Sequence, residues 1–205
     1  SGDMLSGDRE EGDAIAVALL SRLSDLAPVC FVNGNHEMCV ERHQPERYQK
    51  FMDDLKNGGV QVLHNETAWF WIDGEKVAVT GYELPWEYYR RFSRRHPSVV
   101  GMERSIGKRK QDAYQILLTH NPVFFEEYAA WGADFTFAGH LHGGFIRLPY
   151  FGGVISPQFQ LFPKYDHGLY QMDTSSMVVG AGMGNHSGLF RINNPTEIVT
   201  VRIKR

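Results

Sequence analysis

Apolar runs in this chain stop on glycine, and that habit constrains the fold more than any other feature. The run ending at Val32 meets Asn33-Gly34-Asn35, the run ending at Ala138 meets Gly139-His140, and the run ending at Val179 meets Gly180-Ala181-Gly182-Met183-Gly184. A tight turn at a strand end calls for glycine, which reaches backbone angles that side chains exclude. In α/β folds such turns are where sites are built. Glycine makes up 21 of 205 residues, above the roughly 7% of ordinary proteins, and it forms no low-complexity tract.

Periodicity supplies the elements between those turns. Residues 13–27 place Ile15, Ala16, Leu19, Leu20, Leu23 and Leu26 at helical spacing behind Asp13 as N-cap. Val29 to Val32 reads as a buried strand. Pro45 opens a second helix that carries Tyr48, Phe51, Met52 and Leu55 on one face as far as Asn57-Gly58-Gly59. Strands follow over 60–63, 67–72 and 76–80, with Asp73-Gly74 as a hairpin turn. A strand at 115–119, a helix at 122–131 and a strand at 134–138 then alternate as βαβ. The last third is strand and turn, at 145–148, 169–172, 177–179 and 197–203. The sum predicts one α/β domain over 1–205, with two packed, mostly mixed β-sheets flanked by helices.

Residues 87–111 stand apart, with Arg90, Arg91, Arg94, Arg95, Arg104, Lys108, Arg109 and Lys110 among Tyr88, Tyr89 and Phe92. They read as a solvated helical excursion, or as a cap over an anionic substrate or a contact with anionic lipid. The chain as a whole is slightly acidic, with 21 Lys and Arg against 24 Asp and Glu, which speaks against binding nucleic acid by bulk electrostatics. No apolar stretch reaches the roughly 18 residues of a membrane-spanning helix, and Ser1-Gly2-Asp3-Met4 is no basic-then-apolar leader. Cys30 and Cys39 fit a reducing compartment better than a disulfide framework.

Four segments carry metal-ligand residue types, the last three of them at the end of an apolar run: Ser1-Gly2-Asp3, Gly34-Asn35-His36-Glu37, Leu118-Thr119-His120-Asn121-Pro122 and Gly139-His140-Leu141-His142-Gly143-Gly144. In that order they resemble the calcineurin-like metallophosphoesterases, in the small bacterial single-domain branch. The family's ordered signature is D-x-H, GD-x-x-D, GNH-D/E, a lone H and GH-x-H. The likeness continues through Gly182-Met183-Gly184, Arg191 and Pro195-Thr196-Glu197.

The resemblance implies a four-layer α/β/β/α sandwich. It implies two divalent metal ions, Mn, Fe or Zn, sharing a bridging carboxylate and a hydroxide that attacks phosphorus in line. Asp3 matches the bridging carboxylate, and Asn35, His120 and His140 match the remaining ligands of one metal. His142 matches a ligand of the other metal. On an extended segment His140 and His142 would project to one face. His36 matches the catalytic acid, at a strand-to-helix turn whose N–H groups favour an anion. Glu37 is expected to position this corner rather than to ligate. A second Gly-Asn-His, Gly184-Asn185-His186, reads as a turn, with Asn185 and Arg191 as candidates to face the substrate.

Two departures qualify the likeness. The family's opening strand and D-x-H are expected ahead of Gly2-Asp3, so the resemblance implies an N-terminally incomplete domain with two ligands upstream of Ser1. The aspartate that orients the catalytic histidine falls on Ser6, with Asp8 a near substitute. The implied activity is hydrolysis of a phosphodiester, slightly favoured over a phosphomonoester. The substrate would be a small-molecule phosphate ester or, given Phe124, Phe125, Tyr128 and Trp131, a lipid-like phosphate. A membrane surface stays open as a partner, and location stays open between cytoplasm and membrane through an upstream segment. The alternatives are a non-catalytic metal-binding or interaction module that lost its first metal site and, less favoured, a nuclease.

Overall fold

The computed structural model describes residues 1–7, 10–90, 95–144, 147–148, 152–154, 161–184 and 191–203. Helix α1 (Glu11–Ser24) leads into strand β1 (Cys30–Phe31), and helices α2 (Asn35–His43) and α3 (Pro45–Asn57) precede β2 (Gln61–Val62). The hairpin β3 (Thr67–Ile72) and β4 (Glu75–Tyr82) turns on Asp73 and Gly74, both with positive φ, as a type I′ turn requires. A 3-10 turn at Trp86–Tyr89, helix α4 (Val99–Ile106), strand β5 (Tyr114–Thr119), a 3-10 turn at Pro122–Phe124, helix α5 (Phe125–Trp131) and strand β6 (Phe135–Ala138) follow. The short pair β7 (Arg147–Leu148) and β8 (Gly152–Gly153) and the hairpin β9 (Gly168–Met172) and β10 (Ser175–Val179) complete the described elements.

The main sheet has six strands in the order β3-β4-β5-β6-β10-β9, parallel through β4, β5, β6 and β10 and antiparallel at both edges. Above it lies the parallel pair β1-β2. The alternation of side chains explains the layering. Cys30 points to the main sheet, where it meets Leu63, Val77 and Val79, while Phe31 and Val62 point away into a core with Leu20, Phe51 and Leu55 of the helices. On the far side of the main sheet Leu117 packs with Met102, Ile106, Tyr128 and Trp131 from α4 and α5. The stack is therefore α/β/β/α, as expected. The layers approach closely at Gly81, where a Cβ would sit 2.4 Å from the carbonyl oxygen of Leu63.

Three expectations need correction. The apolar face of α1 is covered only in part: Ala16 and Leu20 are buried, whereas Ile15 is 71% exposed and Leu26, beyond the helix end, 82%. Asp13 does not cap that helix, because it lies inside it and holds Arg47 of α3 at 2.7 Å. Residues 197–203 form no strand. Val199 and Val201 lie near Tyr114, Phe135 and Val178, but among the described residues the segment joins no ladder, and one backbone bond, from Glu197 N to the Gly182 carbonyl at 3.2 Å, ties its start. A strand requires a ladder partner, which β-type sequence alone does not supply. The expected strand at 145–148 is described only as β7, since 145–146 lie outside the described residues.

The described part of the basic excursion packs through its apolar residues, while Arg90, Arg95, Arg104 and Lys108 stay exposed. Tyr89, Met102 and Ile106 are buried under α5, and Arg109 grips Asp134 through two bonds of 3.0 and 3.1 Å. Arg91 and Arg94 lie outside the described residues. Among the described residues no helix is long and apolar enough to cross a membrane.

Candidate metal centre

The parallel strands β1, β4, β5, β6 and β10 all end at one edge, and their following residues build the site there, where an open α/β sheet leaves a crevice. Thr119 of β5 hands over to His120, and Ala138 of β6 to Gly139-His140. The end of β1 supplies Asn33-Gly34 and the start of α2, and Asp3 comes from the segment beside it. His120 and His140 are buried, at 2% and 7% exposure.

Three donor groups converge. His120 Nε2 lies 2.9 Å from Asp3 Oδ2 and 3.2 Å from His140 Nδ1. One ligand atom from each of the three residues lies within 4.8 Å of the others. His120 Nδ1 donates to the Ser1 carbonyl at 2.6 Å, which aims Nε2 at the cluster, as ligand imidazoles are usually aimed. The ring of Tyr89 closes over both imidazoles, with centroids 5.3 Å from His140 and 6.1 Å from His120.

The electrostatics follow from that crowding. Burial pushes the Asp3 carboxyl up, but the charge and hydrogen bond of His120, with His36 and His140 behind, hold it well below the usual carboxylate range. Burial pushes His120 down, and the charge and hydrogen bond of Asp3 together with the Ser1 carbonyl outweigh it, so its pKa is raised. Burial and then the charge of His120 drive His140 well below the ordinary histidine value, so its ring is neutral, the form that ligates a metal.

The residues fit a divalent cation. Of the six buried side-chain atoms without a hydrogen-bond partner among the described residues, His140 Nε2 and Asn35 Oδ1 belong to this corner, with Asn33 Oδ1 beside it. Buried polar atoms are otherwise almost always paired, so such a pair beside a carboxylate and two imidazoles marks a site shaped for a ligand. Imidazole with oxygen donors is the set that suits Zn, Fe and Mn.

The sequence profile of calcineurin-like phosphoesterases matches residues 1–144. The chain belongs to the calcineurin-like phosphoesterase family. It is 27% identical to YpbG of Bacillus subtilis (strain 168) over 157 residues, 73% of this chain and 53% of that protein. It is 24% identical to the phosphodiesterase YaeI of Escherichia coli (strain K12) over 185 residues, 90% of this chain and 62% of that protein. It is also 29% identical to the metallophosphoesterase YkuE of B. subtilis (strain 168) over 102 residues, 50% of this chain and 35% of that protein. The chain thus spans about half the length of the relatives it matches.

Of the residues matched to the family's motifs, the structure draws Asp3, His120 and His140 together, with Asn35 at the same corner. His36 and His142 line the same groove of about 670 Å³ without entering the tight cluster. His140 and His142 do not lie on an extended segment. Both have positive φ in a turn, so the turn rather than strand alternation brings them to the groove.

The outer candidates fare differently. Arg191 Nη2 donates to the carbonyls of Ala181, at 2.8 Å, and Gly184, so its guanidinium ties the loop after β10 instead of standing free for a substrate. Asn185 and Asp8 lie outside the described residues. Phe124, Phe125, Tyr128 and Trp131 are core residues, each at most 5% exposed, and they offer no surface to a lipid. The sequence reading missed Tyr89, which sits in the basic excursion and carries no motif. It also missed the Ser1 carbonyl, a backbone group that leaves no trace in residue types.

Proposed function

We propose that this chain hydrolyses a phosphoester with the help of divalent metal ions, a phosphodiester in preference to a phosphomonoester. The convergence of Asp3 Oδ2, His120 Nε2 and His140 Nδ1 beside two unpartnered buried donors carries the reading. The name of the relative YaeI, a phosphodiesterase, favours the diester.

Asp3, Asn35, His120 and His140 would hold one metal, and Asp3 and His142 would contribute to a second. Mn, Fe or Zn bound there would neutralise charge on the phosphoryl oxygens and activate a water for in-line attack. His36 follows Asn35 at the first turn of α2, and its backbone N–H donates to Asp3 Oδ1 at 2.9 Å, so the residue is fixed beside the cluster. From there its imidazole gives a proton to the leaving-group oxygen. The substrate is a small-molecule phosphate ester or a lipid-like phosphate, and the net negative charge disfavours a nucleic acid.

The test is Mn-dependent hydrolysis of bis(p-nitrophenyl) phosphate by the wild type and His36→Ala. The expected outcome is turnover that falls roughly 10²- to 10⁴-fold in the variant, the usual worth of a general acid. Metal bound without turnover in the wild type would point instead to a binding module.

A further inference from the structure

Glu37 is a carboxylate that the proposed chemistry leaves unused. It is fully buried at 0% exposure, and four backbone N–H groups surround it. Oε2 accepts from Asp3 and Gly34, both at 2.7 Å, and Oε1 accepts from Met4 at 2.6 Å and Leu5 at 2.8 Å. Hydrogen bonds to an ionised acceptor are roughly twice as strong as neutral ones. Three of the four hold successive residues of the segment that carries Asp3.

That segment needs holding. Gly2 and Asp3 both lie in the left-handed region, with φ 75 and 58, a conformation uncommon outside glycine that aspartate tolerates better than most residues. The brace is reciprocal: Glu37 on α2 fixes the backbone of Asp3, and Asp3 Oδ1 accepts from His36 N on the same helix. With both ends fixed, the other oxygen of Asp3 has one place to go, 2.9 Å from His120 Nε2.

We infer that Glu37 is a positioning residue, which sets the Asp3 carboxylate for metal binding by imposing the backbone conformation of residues 3–5. The inference rests on the reading of this cluster as a metal centre, but its first readout does not require metal. The amide of His36 is bonded to Asp3 and not to Glu37, so its exchange with solvent reports where the Asp3 side chain lies. In Glu37→Gln, whose amide group brings N–H donors against N–H donors, amide exchange of the metal-free protein followed by NMR should speed up at His36 by tenfold or more. Binding of Mn²⁺ should weaken by about 10- to 100-fold, the usual effect of losing a group that orients a ligand.

Leu55→Ala serves as a control that unsettles the same core elsewhere. It should leave both the His36 amide and the Mn²⁺ affinity as in the wild type, which separates positioning from loss of stability. If Glu37→Gln does not fold, Glu37→Asp, which keeps the charge but draws the anchor back by one methylene, reads out the same amide. A His36 amide as protected as in the wild type would overturn the inference. A wild type that binds no metal would sink the phosphoesterase reading while the amide still decides the role of Glu37.

Discussion

The two flanks of the centre are built by different means. On one, Asp3, Asn35, His120 and His140 follow buried strand ends or are strapped to them, and their donor atoms approach to 2.9 and 3.2 Å. On the other, His142 stands on a turn of positive-φ residues, its carbonyl taken by the Asn194 amide, facing a glycine loop that Arg191 and Glu197 tie by its backbone. The first flank is organised on buried strand ends before any ion arrives, and the second stands on a glycine-rich turn. Preorganised donors bind more tightly because less ordering remains to be done. The centre should accordingly hold one metal firmly and a second weakly.

Removing a donor from each flank is the strongest way to break this contrast. His120→Ala should lower affinity for the tight metal by about 100-fold or more, since loss of a ligand costs at least as much as loss of its orienting partner. His142→Ala should leave that affinity unchanged and weaken only the second binding event in a calorimetric titration. Equal losses in the two variants would refute the asymmetry.

Packing offers the next test. A Cβ at Gly34 would lie 2.3 Å from Asp3 Oδ1, whereas one at Gly184 meets nothing within 4 Å among the described residues. Gly34→Ala should destabilise by about 1–3 kcal/mol through overpacking and displace Asp3. Gly184→Ala should stay within about 0.5 kcal/mol of the wild type. Denaturant unfolding of the two variants measures both.

The smallest expected effect is with pH. His120 has a folded pKa raised above 6.5, so in the metal-free protein its contribution to stability is complete below that value and fades as pH rises through the folded pKa. Asp3 is lowered below 3.8, so its contribution is present above that value and is lost as pH falls toward the folded pKa. Metal must displace the His120 proton, so affinity at the tight site should climb with pH and level off above the folded pKa of His120. His140, already neutral, adds nothing to that slope. Metal-free stability and metal affinity should therefore move in opposite directions across the neutral range, which thermal unfolding with and without Mn²⁺ would show.

Much of this was legible in the sequence, for reasons that particular residues make plain. Helix α3 runs from Pro45 to Asn57 as its apolar spacing and punctuation indicate, and the β3-β4 hairpin turns on Asp73-Gly74. Such signals are local, and local chemistry decides them. Helical spacing in α1 showed which residues share a face but could not show that Ile15, Leu19 and Leu23 on it would remain exposed. The strand-like pattern of 197–203 could not reveal whether a backbone would pair with it. At the centre, the family's motif spacing named Asp3, Asn35, His120 and His140. The sequence could assign Glu37 to this corner, but not count the four N–H groups that it gathers. A glutamate three residues into a helix is a capping signature after serine or threonine, and here glycine stands in the N-cap position and hides it.

The most direct measurement is anomalous diffraction from crystals of the metal-free protein soaked in Mn²⁺ or Zn²⁺. The account predicts one strong peak at ligand distance, about 2.0–2.3 Å, from Asp3 Oδ2, His120 Nε2 and His140, with a weaker one toward His142. A metal seated elsewhere, with Asp3 still bonded directly to His120, would contradict it.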